Sequence, residues 1–138
     1  MKILQLKSGT SLLIMFLVSI FMFSCGPQNL LLETDTFSVS INEKGQLISL
    51  KDKASNAEYL AQGQEAPLLV VHVKDSTILA PINMNIDEAA KLLTLTYEGG
   101  SQIGVSYEQK ESYFTLEVVS ATPQDKIPGV IWGSYPTI

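Results

Sequence analysis

"LTLTYEGGSQIGVSYEQKESYFTLEVV", residues 93–119, decides the fold. Leu93, Leu95 and Tyr97 fall on one side of an extended chain, against Thr94, Thr96 and Glu98. Gly99-Gly100-Ser101 then supplies a hairpin signal. Ile103, Val105 and Tyr107 alternate with Gly104, Ser106 and Glu108. "EQKE" turns the chain again, and Phe114, Leu116 and Val118 face away from Tyr113, Thr115, Glu117 and Val119. Period-two alternation marks half-buried strands, so this stretch predicts three antiparallel strands joined by short turns.

The pattern extends toward the N-terminus. Phe37, Val39 and Ile41 alternate with Thr36, Ser38 and Ser40. "NEKG" follows, with Gly45 placed to take the positive φ of a bulged hairpin. Residues 47–51 return as a second strand, and "KDKASNAEYL" reads as a polar connection closing on Tyr59 and Leu60. The apolar run 68–73 suits a strand covered on both faces. Residues 78–86 predict a weaker pair or a bent strand, with Pro81 assigning part of it to an edge. In "DEAAKLL", Ile86, Ala89, Ala90 and Leu93 share a helical face, but the threonines at 94 and 96 favour a turn at residues 88–90 and then a strand. Many short strands at this spacing predict an all-β, antiparallel sandwich.

The first 24 residues are of another kind. Lys2 and Lys7 form a basic start, and residues 12–23 run apolar apart from Ser19. That run is short for a membrane span, which needs about 20 residues. It fits the apolar region of a secretory signal, about 7–15 residues behind a positive start. Cys25, the single cysteine, follows small Ser24 and precedes Gly26-Pro27. This segment resembles a bacterial lipoprotein signal, in which the cysteine takes a diacylglycerol thioether; a thiolate is the nucleophile that such chemistry uses. A lone thiol has no partner for a disulfide within its own chain. Met22 and Phe23 depart from the usual Leu and small residue of that motif. A plain signal cut after Gly26 and an uncleaved anchor are the alternatives.

The expected organisation is a signal helix over residues 1–24, a lipid-anchored tether over 25–35 and a β-sandwich over 36–138. Without residues 1–24, seven lysines stand against fourteen acids, a net charge of −7, and arginine is absent throughout. That balance argues against nucleic acid, which is held by Lys and Arg on phosphates, and against a polybasic hold on anionic lipid. Membrane attachment is expected through acyl chains on Cys25. The expected location is the outer membrane of the cell envelope, with the face left open.

Candidates for chemistry are few. His72 is the only histidine and shares a strand with Leu68 and Val70. Zinc sites take three or four ligands, so a core or interface histidine is the stronger assignment; no metal and no cofactor is expected. Glu108, Glu111 and Glu117 are the densest carboxylates. A glycosidase needs two carboxyls about 5–9.5 Å apart, and a pair bordering a turn reads first as solvated loop, so no catalytic residue is assigned. Trp132 and Tyr135 in "VIWGSYPTI" are the candidate carbohydrate-binding residues, because aromatic faces stack on sugar rings. A core role for Trp132 is the competing assignment.

"FSVSINEKGQLISLKDKASNAEYL" and "VIWGSYPTI" resemble the opening and a later segment of the galactose-mutarotase-like β-sandwich domain of large Bacteroidetes glycoside hydrolases. Ser134 stands where that family carries a proline, and one threonine is missing before Ile138. The resemblance spans residues 36–138. It implies a carbohydrate-associated, non-catalytic module, the N-terminal part of a glycoside hydrolase in which more sandwich and then a catalytic barrel follow and the acid and base lie downstream. On that basis the domain is expected to be incomplete, with an open sheet edge through which it self-associates and a glycan as ligand. The second class carried by the sequence is a small structural or partner-binding envelope lipoprotein unrelated to glycans.

Overall fold

The computed structural model describes residues 28–73 and 77–138. Ten strands follow one another: β1 (Leu30–Glu33), β2 (Phe37–Ile41), β3 (Leu47–Asp52), β4 (Leu69–His72), β5 (Ile78–Leu79), β6 (Pro81–Asp87), β7 (Leu92–Tyr97), β8 (Gln102–Gln109), β9 (Phe114–Thr122) and β10 (Gly129–Trp132). Every strand pairing is antiparallel. The all-β architecture expected from the alternation is the one the chain adopts. The only helical pieces among the described residues are two three-residue 3-10 turns, Glu98–Gly100 and Gln124–Lys126.

Backbone hydrogen bonds divide the strands among three sheets, ordered β1-β2-β3, β10-β4-β5 and β6-β7-β8-β9. Their inner faces meet in one apolar core. Leu32 and Ile41 come from the first sheet, Leu69 and Val71 from the second, and Leu93, Leu95, Tyr97, Ile103 and Val105 from the third. Burial follows the alternation read from residues 93–107, where the apolar member of each pair is sealed and the threonines between them are half-buried. Removing such side chains from water is the main stabilising contribution, about 25 cal/mol per Å2.

The turns obey local chemistry. Gly45 has φ 74°, and the β2–β3 register shifts between Ser40 and Ile41, as the bulged hairpin requires. Asn42 Oδ1 accepts the Lys44 and Gln46 amides and holds that turn closed. A side chain on Gly45 would also run into Leu95 and Pro81. The segment that could have been helical is a turn: Asp87 Oδ1 accepts the Ala90 amide, and Lys91 takes φ 53° before β7 begins. Pro81 opens β6, an edge strand, where its missing N–H leaves no gap in the ladder.

One boundary differs from the sequence reading. Residues 30–33, placed in a tether running to residue 35, form β1 and pair with residues 38–41. Leu30 and Leu32 are buried and Leu31 is exposed. Three consecutive leucines show no alternation, so the strand is visible only once β2 offers its edge. Thr34 then closes the β1–β2 turn, its hydroxyl accepting the Thr36 and Phe37 amides. Residues 1–27, where the signal segment and lipid-bearing Cys25 are expected, lie outside the described residues.

The outer side of β3 is covered in two pieces. The connection after β3 folds back through bridges at Lys51–Glu58 and Gln46–Pro67. The last residues then run beside it: Ala61 donates to the Pro136 carbonyl, Leu60 bridges Thr137, and Ile138 donates to Tyr59.

Candidate functional site

Trp132 and Tyr135, the candidate sugar-stacking pair, lie at the end of β10 and just after it. Trp132 closes β10 opposite Leu69 and is 40% exposed on an edge strand. Its neighbour Ile131 is also exposed. Tyr135 is engaged differently. Its hydroxyl donates to the Leu68 carbonyl at 2.9 Å, its ring lines an apolar groove, and burial raises its phenol. The backbone is tight here, because Gly133 passes so close to the Pro67 carbonyl that a Cβ would collide with it. Of the pair, only the indole is therefore left accessible, with Tyr135 holding the strand behind it.

The groove under Tyr135 has a volume of about 190 Å3. Leu32, Phe37, Val39 and Leu50 line one wall; Phe114 and Leu116 of β9 line the other. No charged side chain lines it. The Phe37 and Phe114 rings meet at its end, centroids 5.5 Å apart and tilted by 56°, a geometry that suits the ring quadrupoles.

A wider and more polar cleft of about 740 Å3 opens between β1, the β6–β7 turn and the end of β8. Glu88, Lys91, Glu108 and Gln109 contribute polar groups to it. The Lys91 ammonium sits 5.5 Å from the Tyr107 ring centroid, within reach of a cation–π attraction. Burial, then the nearby Glu88 and Asp87 carboxylates, push the Tyr107 phenol upward.

The carboxylates singled out by the sequence do not converge on one cleft. Glu108 pairs with Lys110 at the surface. Glu111 lies in the exposed β8–β9 turn, where its backbone carbonyl accepts the Asp35 amide. Glu117 is on the outward face of β9. His72 is half-buried on β4 between Gly129 and Ile78. Among the described residues no cluster of three His, Cys, Asp or Glu side chains is placed to hold a metal.

Glu58 is the carboxylate that sequence reasoning passed over. It accepts hydrogen bonds from Ser49 Oγ at 2.6 Å, Leu50 N at 2.7 Å and Leu60 N at 3.0 Å. Desolvation alone would raise its pKa. The bonds from Ser49, Leu50 and Leu60, helped by Lys51, outweigh that and hold it below the ordinary glutamate value. Its work is structural, clamping the returning connection onto β3. In "NAEYL" nothing marked it, because two of its three donors, Ser49 and Leu50, come from a strand eight or nine residues earlier.

No protein-family model, no curated protein and no solved structure matches this chain.

Proposed function

We propose that the chain is a lipid-anchored, non-catalytic, carbohydrate-associated β-domain of the cell envelope, a relative of the galactose-mutarotase-like sandwich that its sequence resembles. The observation that carries the carbohydrate part is Trp132, a 40% exposed indole on an edge strand. An accessible indole offers the flat apolar face on which the C–H side of a sugar ring stacks. Tyr135 beside it has its hydroxyl taken by Leu68, so binding is weak. The membrane part rests on Cys25 after the apolar run 12–23. β1 begins at Leu30, which leaves four residues between that cysteine and the first strand and keeps the folded body close to the bilayer.

Two experiments test this reading. Cells given a clickable palmitate analogue should label the wild-type chain and not Cys25→Ser. Label retained by Cys25→Ser, together with continued membrane fractionation, overturns the anchor. The full chain, screened against host and plant glycans, should show weak retention that Trp132→Ala abolishes, with no reducing sugar released. Turnover removed by a single Glu→Gln substitution would instead establish an enzyme. Retention unchanged in Trp132→Ala would remove the indole from the account.

A further inference from the structure

The fourth strand of the β6-β7-β8-β9 sheet ends it without a partner: among the described residues, no strand pairs with the outer side of β9. Natural edges are usually blunted by charge, proline, bulges or brevity. β9 is nine residues long, carries no proline and holds a single charge, Glu117. Its one protective device is a bulge. The β8–β9 register shifts between Gly104 and Val105, so that Val118 pairs with Val105 and Ser120 with Gly104, leaving Val119 unmatched. The bulge disturbs the second half of the strand and leaves Phe114–Val118 regular.

That regular stretch reads Phe-Thr-Leu-Glu-Val, and its midpoint is Leu116. We propose that β9 pairs with β9 of a second copy, antiparallel, about a two-fold axis at Leu116. In this register Leu116 faces its own copy, Phe114 faces Val118, and Thr115 faces Glu117. Two features select it, the length paired and the charge pattern, and the pleat permits it. The whole unbulged segment pairs with itself. The apolar positions 114, 116 and 118 fall on the inner face of both strands. The charge pattern also fits, since the sole carboxylate lies opposite a threonine hydroxyl, whereas a shift that centred the axis on Glu117 would oppose two carboxylates. Like charges directly opposite are unfavourable in a sheet.

Two of the three half-buried side chains on this stretch, Phe114 and Leu116, also wall the apolar groove. A second copy would extend the sheet past them and continue the apolar face. Five paired residues make a ladder of about 17 Å, which offers less contact than the roughly 800 Å2 per partner of a standard interface. The dimer is therefore weak and concentration-dependent. It is independent of glycan binding, and its failure would leave the reading of Trp132 untouched.

Sedimentation of the full chain in detergent, over a range of concentrations, tests it. Wild type should move from monomer to dimer. Thr115→Glu, on the outward face, places two pairs of carboxylates opposite one another and should weaken the dimer about tenfold. The double variant Thr115→Glu/Glu117→Lys sets opposite charges at the same two places and should restore it. Position 115 also faces Glu108 of β8, so far-UV circular dichroism of the single variant checks that it is folded. A wild type that stays monomeric throughout overturns the proposal. So does a dimer indifferent to Thr115→Glu, or one that the second substitution does not rescue, since either outcome removes the register.

Discussion

Strands β8 and β9 lie side by side and carry the same alternation, yet their inner faces end differently. On β8, Ile103 and Val105 are completely buried and Tyr107 nearly so. On β9, Phe114, Leu116 and Val118 are only half-buried. The difference lies in their neighbours. β8 has a strand on both sides, whereas β9 has a strand on one side and the apolar groove beneath its inner face. Alternation states which side chains point inward. It is silent about how much protein stands over them.

The sharpest way to break this comparison is a matched truncation. Ile103→Ala should cost about 2–5 kcal/mol, the range for a sealed large aliphatic side chain. Leu116→Ala should cost well under half as much, because its methyl groups already border the groove. Urea denaturation measures both. Equal losses would mean that β9 is covered in solution.

Next in size is the seam between the two strands. A Cβ at Gly104 would collide with Ser120 Oγ across the bulge. Gly104→Ala should lower stability by about 1 kcal/mol, the low end of the cost of overpacking, because exposed Ser120 can turn its hydroxyl aside. Ser120→Ala in the same chain should recover most of it, because the added methyl then meets Ser120 Cβ at 3.5 Å, an ordinary contact. If the second substitution recovers nothing, the bulge is set by something other than this contact.

Two tyrosines carry the comparison to a finer scale. Tyr97, wholly buried on β7, donates to the Leu69 carbonyl at 3.0 Å, and burial drives its phenol far above the ordinary range. Tyr135, on the rim of the groove, donates to the Leu68 carbonyl, which also accepts the Gly133 amide at 3.1 Å. Tyr97→Phe should cost about 1 kcal/mol. Tyr135→Phe should cost less, since Leu68 keeps a second donor. Thermal unfolding of the two variants decides the order.

The smallest effect is a pH dependence at Glu58, on the far side of β3. Its carboxyl has a lower pKa in the folded chain than in the unfolded one. The stability it contributes is thus present above the unfolded value and is lost as pH falls through the folded value. Glu58→Gln should be less stable than wild type at pH 7, and the gap should narrow on acidification below the ordinary glutamate range. A gap that is constant with pH would assign the loss to the hydrogen-bond geometry alone.

Strand placement was legible where side chains differ in polarity. Leu93-Thr94-Leu95-Thr96-Tyr97 and the glycines at 99 and 100 state the β7–β8 hairpin outright, because period two and positive φ are local properties. Pro81 likewise announced an edge. β1 was missed because Leu30-Leu31-Leu32 has no polarity contrast, and the choice of buried leucines falls to the partner strand. Glu58 was missed for a related reason, two of its three donors lying on the preceding strand.

By itself the sequence determined the strand class, the hairpins and the inward-facing residues, all of which follow from backbone geometry and side-chain polarity over a few positions. It also set an apolar run over residues 12–23 apart from the acidic stretch that follows. The tertiary structure alone decided how the strands divide into three sheets, which inner faces are sealed, and that Tyr135 is committed to Leu68 while Trp132 stays exposed. Those outcomes depend on contacts between segments tens of residues apart, and no local pattern carries them.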